Sequence, residues 1–120
     1  MRGEQYLTKK VQFSLVYDEG RSWVGKEVVI RALSNGLDSS RCGFVVSRHV
    51  GKAVVRNRVK RLLREILRQT PLQPGWDIIF IARTPAAIAD YTNLGKSVRN
   101  LLFRAGLFVG DYEGVRPGTN

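Results

Sequence analysis

The residues with the clearest chemistry lie in one run, AVVRNRVKRLLREILRQT, residues 53–70. Arg56, Asn57, Arg58, Lys60, Arg61, Arg64 and Arg68 stand in it beside a single acid, Glu65, and Arg48, His49 and Lys52 lie just upstream. Between Arg48 and Arg68 eight Lys or Arg face one acid, a local +7 out of the chain's net +10. Guanidinium groups contact phosphate in planar, bidentate fashion and stack on bases, so a run in which Arg outnumbers Lys suits a shaped polyanion such as RNA. A sequence pI near 10.5 points the same way, towards a polyanionic partner.

Little else in the chain could break or make a covalent bond. A protein nuclease of the two-metal class needs clustered carboxylates, whereas Asp77, Asp90 and Asp111 are scattered. Asp77, beside Trp76, reads as a turn or strand-end residue. His49 has no acid or thiol near it in sequence and is expected to touch RNA or stand in solvent. Cys42 is the sole cysteine, set in the apolar run CGFVV, which suggests a small buried side chain and excludes an internal disulfide. No catalytic residue and no protein metal site is expected.

A helix must position the cations. At about 100° per residue with Arg56 at zero, Val55, Val59, Leu62, Leu63 and Ile66 fall between about 240° and 340°, with Leu67 just beyond. Asn57, Lys60, Arg61, Arg64 and Arg68 fall between about 40° and 140°. One side can therefore be buried while the other presents a cationic stripe. Lys60 with Arg64, and Arg64 with Arg68, are like charges at four-residue spacing, which repel by a few tenths of a kcal/mol each. A merely solvating face would mix signs, and a membrane-surface helix would leave its Val and Leu arc for lipid when the domain needs it for a core.

The rest of the chain is read as follows. A short helix lies within Tyr6 to Tyr17, capped at Thr8 or earlier and ended by Gly20. KEVVIRAL (26–33) and RCGFVVS (41–47) are strands, expected to pair as antiparallel neighbours across a loop that carries the turn signal Asn35-Gly36. The basic helix runs from about 52 to 69 and stops before Pro71. WDIIFIAR (76–83), apolar almost throughout, is a strand at the centre of a sheet. TNLGKSVRNLLFRAGL forms the last helix, with Thr92 or Asn93 as cap and Gly106 near its end. This is an α+β fold: a single-domain, two-layer α/β sandwich of three helices on a small mixed sheet, residues 1–106, with 107–120 as a flexible tail. There is no apolar run of about 18 residues for a membrane span, and the N-terminus lacks a signal-peptide stretch. A reducing cytoplasm is the expected location.

The stretch GFVVSRHVGKAVVRNRVKRLLREILR closely resembles the signature of the bacterial ribonuclease P protein subunit, with its Arg-Asn-Arg helix. The similarity runs from LTKKVQFSLVYDEG through DIIFIAR to the last helix. It implies a left-handed β-α-β crossover through the basic helix, where general rules favour the right-handed one. It also implies that the chain is not itself the catalyst: a large RNA, using Mg2+, hydrolyses precursor tRNA at its 5′ end. The protein, a monomer, would bind that catalytic RNA through Arg48, His49, Lys52, Arg56, Asn57, Arg58, Lys60, Arg61, Arg64 and Arg68. It would hold the single-stranded 5′ leader with Phe13 and Tyr17, whose alternative is core packing, and with Arg31, which stands where relatives often carry an aromatic. SRH replaces the more usual Ser-Lys-Lys. From the residues alone, a structural RNA-binding protein of the ribosomal type remains the rival.

Overall fold

A computed structural model describes residues 6–110. The element order is α1 (Lys10–Glu19), β1 (Arg21–Val24), β2 (Val28–Ser34), β3 (Arg41–Val45), α2 (Ala53–Arg68), β4 (Trp76–Ala82), a short 3-10 helix (Thr84–Ile88) and α3 (Tyr91–Arg104). The strands form one mixed sheet in the order β1-β2-β4-β3, antiparallel except for the β3–β4 pair. This is the expected α+β sandwich, with α2 as the crossover between two parallel neighbours.

The expected hairpin between residues 26–33 and 41–47 does not form, because β4 lies between them. Ile78, Ile79 and Phe80 are all fully buried, and a strand apolar on both faces is satisfied only at the centre of a sheet. The Asn35-Gly36 signal serves an arch over the end of β4 instead. The Asn35 N–H donates to the Gly75 carbonyl at 2.8 Å, its side-chain oxygen accepts from Leu37 N–H at 2.7 Å, and Gly36 takes φ 71°. The Asn35 amide also donates to Asp77 at 2.9 Å. Asp77 is buried and receives Arg41 through Nε and Nη at 2.8 and 2.7 Å. It is therefore the fixed end of an ion pair between the parallel strands. That pairing, the hydrogen bond above all, raises the Arg41 pKa.

Strand β1 was not anticipated. It is only four residues long and turns into β2 through Gly25, where a Cβ would come within 3.2 Å of Leu101 and 3.3 Å of Ser97 on α3. Helices α2 and α3 bury Val59, Leu63, Ile66, Leu94, Val98 and Leu102 against one face of the sheet. Helix α1 lies on the opposite face, with Val16 and Leu7 against Ile79.

The helix ends differ in detail from expectation. α1 begins after Lys9, and Gln12 reaches back to accept from the N–H groups of Thr8 and Lys9, both at 2.9 Å; Thr8 itself is not the cap. Gly20 ends it as expected. α3 is capped by Asp90, one turn before Asn93, whose N–H it accepts at 2.8 Å; Thr92 and Asn93 lie inside the helix. Its C-terminus closes with Gly106 at φ 76° and Leu107 N–H bonded to the Leu102 carbonyl at 2.8 Å, the Schellman pattern. The chain stays attached beyond 106. Leu107 is buried in the main core, and Phe108 bridges to Leu72. The remainder of the expected tail, 111–120, lies outside the described residues.

Candidate nucleic-acid interface

Helix α2 spans the predicted range almost to the residue, and its buried side chains are Val59, Leu63, Ile66 and Leu67. Asn57, Arg61, Arg64 and Arg68 are exposed and Lys60 is half-exposed. Arg48, His49 and Lys52 are exposed at the turn leading into the helix. No acid stands in the first turn and no side chain caps it, so the positive end of the helix dipole adds to these cations.

The cations do not all face outward. Arg58 donates to the carbonyls of Ala87 and Ala89 at 3.2 and 2.7 Å, tying α2 to the 3-10 helix. Arg56 donates through Nε to the Gly51 carbonyl at 3.1 Å, closing the entry turn. Arg68 pairs with Glu65, which also accepts from Gln69. Among the described residues, Arg48, Lys52, Lys60, Arg61 and Arg64 have no acid partner. They form the uncompensated part of the stripe. The helical angles carried a signal for this division: Arg56 at zero and Arg58 at about 200° flank the apolar arc and lie outside the 40–140° range.

At the β3 edge the stripe meets aromatic side chains. Lys60 and Arg64 of α2, Phe13 of α1, Gly43 and Phe44 of β3, and Tyr6 line a groove of about 330 Å³. The Arg64 guanidinium lies 5.7 Å from the centre of the Phe44 ring, a cation–π distance. Phe44 in turn stacks on Phe80, with centroids 5.9 Å apart, and meets Tyr6 at 6.1 Å. Phe13 is half-buried, and Gly43 lets its ring come close: a Cβ there would stand 2.6 Å from the ring edge. Tyr6 and Phe44 were missed in the sequence. For Phe44 the signal was an aromatic in a short predicted strand directly before the basic run.

A second feature follows from the strand register. Val24, Val29, Ile81 and Val45 fall in one row across all four strands. Ile81 and Val45 pack against the α1-side cluster, so the row lies on that face. It is incompletely covered: Val24 is 55% exposed and the other three are half-buried. The face beside α1 is an apolar floor left partly open to solvent.

Tyr17 is exposed one turn after Phe13 and does not line the groove. Arg31, expected at the same site, has another role. Its guanidinium donates to the carbonyls of Val16, Tyr17 and Gly20 and to the Ser22 hydroxyl, at 3.3, 2.7, 2.8 and 2.6 Å. It caps the C-terminus of α1, where a cation meets the negative end of the dipole. Among the described residues no three His, Cys, Asp or Glu side chains gather as metal ligands. No helix among them is long and apolar enough to cross a membrane.

The chain is similar to known proteins along most of its length. The family model described as Ribonuclease P matches residues 1–106. The chain is 45% identical over 105 residues to the ribonuclease P protein component of Dehalococcoides mccartyi, covering 88% of each chain. It is 42% identical over 106 residues to that of Clostridioides difficile, covering 86% of this chain and 93% of the other. Among solved structures, the Staphylococcus aureus RNase P protein superposes with a TM-score of 0.79 at 31% identity, over 87% of this chain and 97% of that one. The Thermotoga maritima RNase P protein gives 0.76 at 35% identity, over 82% and 96%.

Proposed function

Because the chain belongs to the ribonuclease P protein family, we propose that it holds two RNAs at once: the catalytic RNA on the cationic face of α2, and the single-stranded 5′ leader of precursor tRNA on the groove and apolar floor beside α1. The observation that carries this reading is the convergence of Lys60 and Arg64 from α2 with Phe13 from α1 on one groove at the β3 edge. A leader passing there would meet ring faces for its bases and cations for its backbone. Base–aromatic stacking is worth ~1–3 kcal/mol per base and tolerates any sequence, as a leader of varied sequence requires.

The work of the chain is binding and orientation. Arg48, Lys52, Lys60, Arg61 and Arg64 neutralise phosphates and release counterions, so affinity falls steeply with salt. Arg56 and Arg58 hold the helix in place. The catalytic RNA and its substrate supply the sites for Mg2+, and no protein side chain takes part in cleavage. The protein acts in the cytoplasm as a monomer within the ribonucleoprotein.

Reconstitution tests the reading. The protein mixed with a bacterial ribonuclease P RNA at low Mg2+ is expected to raise the rate of precursor-tRNA cleavage. Phe13→Ala is expected to reduce that gain for substrates with a leader of several nucleotides more than for those with a very short one. Absence of any stimulation overturns the proposal.

A further inference from the structure

A second groove lies away from the one beside Phe13. A cavity of about 710 Å³ lies at the other end of the sheet, between the Gly25–Glu27 turn, the 3-10 helix and the outer face of α3. Lys26, Lys96 and Arg104 line it along with Asn93, Ser97 and Asn100, and among the described residues Glu27 is the one acid in its wall. Arg83 stands at the same turn, donating to the Gly25 carbonyl at 2.6 Å, while Arg104 donates to the Val24 carbonyl at 3.4 Å. Each hydrogen bond uses one guanidinium nitrogen of a group with five N–H donors. Arg83 and Arg104 thus fix the turn, and Arg104, which lines the groove, keeps donors for a ligand. Uncharged amides and a hydroxyl along the wall, with cations at its rim, are the chemistry that recognises a sugar–phosphate backbone without reading bases.

We infer that this groove is a second RNA-backbone surface, so that the domain bridges two separate RNA segments at opposite edges of its sheet. The inference rests on the reading of the chain as an RNA-binding subunit and extends it. The two surfaces lie at opposite edges of the sheet. The α2 cations Lys60 and Arg64 stand over the β3 edge, the new groove adjoins β1, and three strand spacings separate those edges, roughly 15 Å.

The test uses the full chain and an in vitro transcribed bacterial ribonuclease P RNA, with affinity measured against salt and hydroxyl-radical footprints recorded. Lys26→Glu with Arg104→Gln is compared with Arg61→Ala with Arg64→Ala. The first pair is expected to lower the salt slope by about one to two units and to erase one protected RNA region while sparing the region lost with the second pair. Lys26 is exposed at the turn, so Lys26→Glu alone repeats the test without disturbing the Arg104 hydrogen bond. If only the α2 pair changes slope and footprint, the second surface is refuted and the cleft serves something else, such as an acidic protein. If neither pair changes them, the underlying RNA-binding reading fails as well.

Discussion

The Arg58 guanidinium reaches out of its own helix to the Ala89 carbonyl, 31 residues away in sequence and 2.7 Å away in space. With its second bond to Ala87, it caps two backbone carbonyls that no regular element satisfies. Arg61, three residues on, is exposed and has no such partner. Two arginines of one basic run are therefore assigned to different tasks by their angle on the helix alone.

Replacing each by Ala separates those tasks. Arg58→Ala is expected to lower stability by about 1–3 kcal/mol, because hydrogen bonds from a charged donor are lost and the carbonyls stay half-buried. Arg61→Ala is expected to leave stability within about 0.5 kcal/mol and to reduce the salt slope of RNA binding by about one unit. Urea unfolding and binding titrations at several salt concentrations measure both. An Arg58→Ala protein as stable as the parent but weak in RNA binding would reverse the assignment.

Gly43 and Phe13 are expected to be coupled. A Cβ at Gly43 would stand 2.6 and 2.7 Å from two ring atoms of Phe13, so Gly43→Ala must push the ring or move the strand. Overpacking of this kind costs typically ~1–3 kcal/mol. Phe13→Ala removes the obstacle, and the double variant should recover most of what Gly43→Ala loses. A double-mutant cycle in urea measures the coupling. Simple additivity would show that the ring does not rest on Gly43 in solution.

The sequence made α2 legible because its apolar and cationic residues separate at a single period, and made β4 legible because an apolar run between prolines has one natural place in a sheet. The order of the strands was not legible. The Asn35-Gly36 pair is a valid turn signal whichever strand follows, and only the long-range pairing of Asp77 with Arg41 and Asn35 shows where the loop must pass. Arg41 drew no notice among 20 Lys and Arg, since nothing local marks a cation that pairs 36 positions away. The groove was half legible. Phe13 and Arg64 were each expected to touch RNA, but their meeting depends on β3 being an edge strand, which no local pattern specifies.

Cys42 supplies a test in pH. Burial pushes its thiol from an ordinary value near 9 up to about 12, and the negative Asp77 adds to the shift. Below pH 9 folded and unfolded chains both keep the thiol protonated, and this residue adds no pH dependence. Above it the unfolded chain alone loses the proton, so stability falls by ~1.4 kcal/mol per pH unit until about pH 12. Other groups titrate there too, and the readout is therefore the difference between the parent and Cys42→Ala. The parent is expected to lose stability more steeply between pH 9 and 10.5. Parallel curves would place the thiol in contact with water.

Arg31 offers the sharpest conflict between kinship and geometry. The resemblance places an aromatic there as part of a leader site, yet in this chain the guanidinium holds three carbonyls at the end of α1 and the Ser22 hydroxyl. Arg31→Tyr would restore a stacking face and remove the cap. Because α1 carries Phe13 and Tyr17, its loosened C-terminal turn should outweigh the added ring. The variant is expected to be less stable by about 1–3 kcal/mol, with faster amide exchange at the last turn of α1, and to gain no affinity for leader-bearing substrate. Arg31→Lys, which keeps the charge but not the fork, should fall between. Urea unfolding, hydrogen exchange and binding of substrates with long and short leaders decide the matter. Tighter leader binding by a fully stable Arg31→Tyr protein would show that the cap is dispensable and that the position belongs to the cleft.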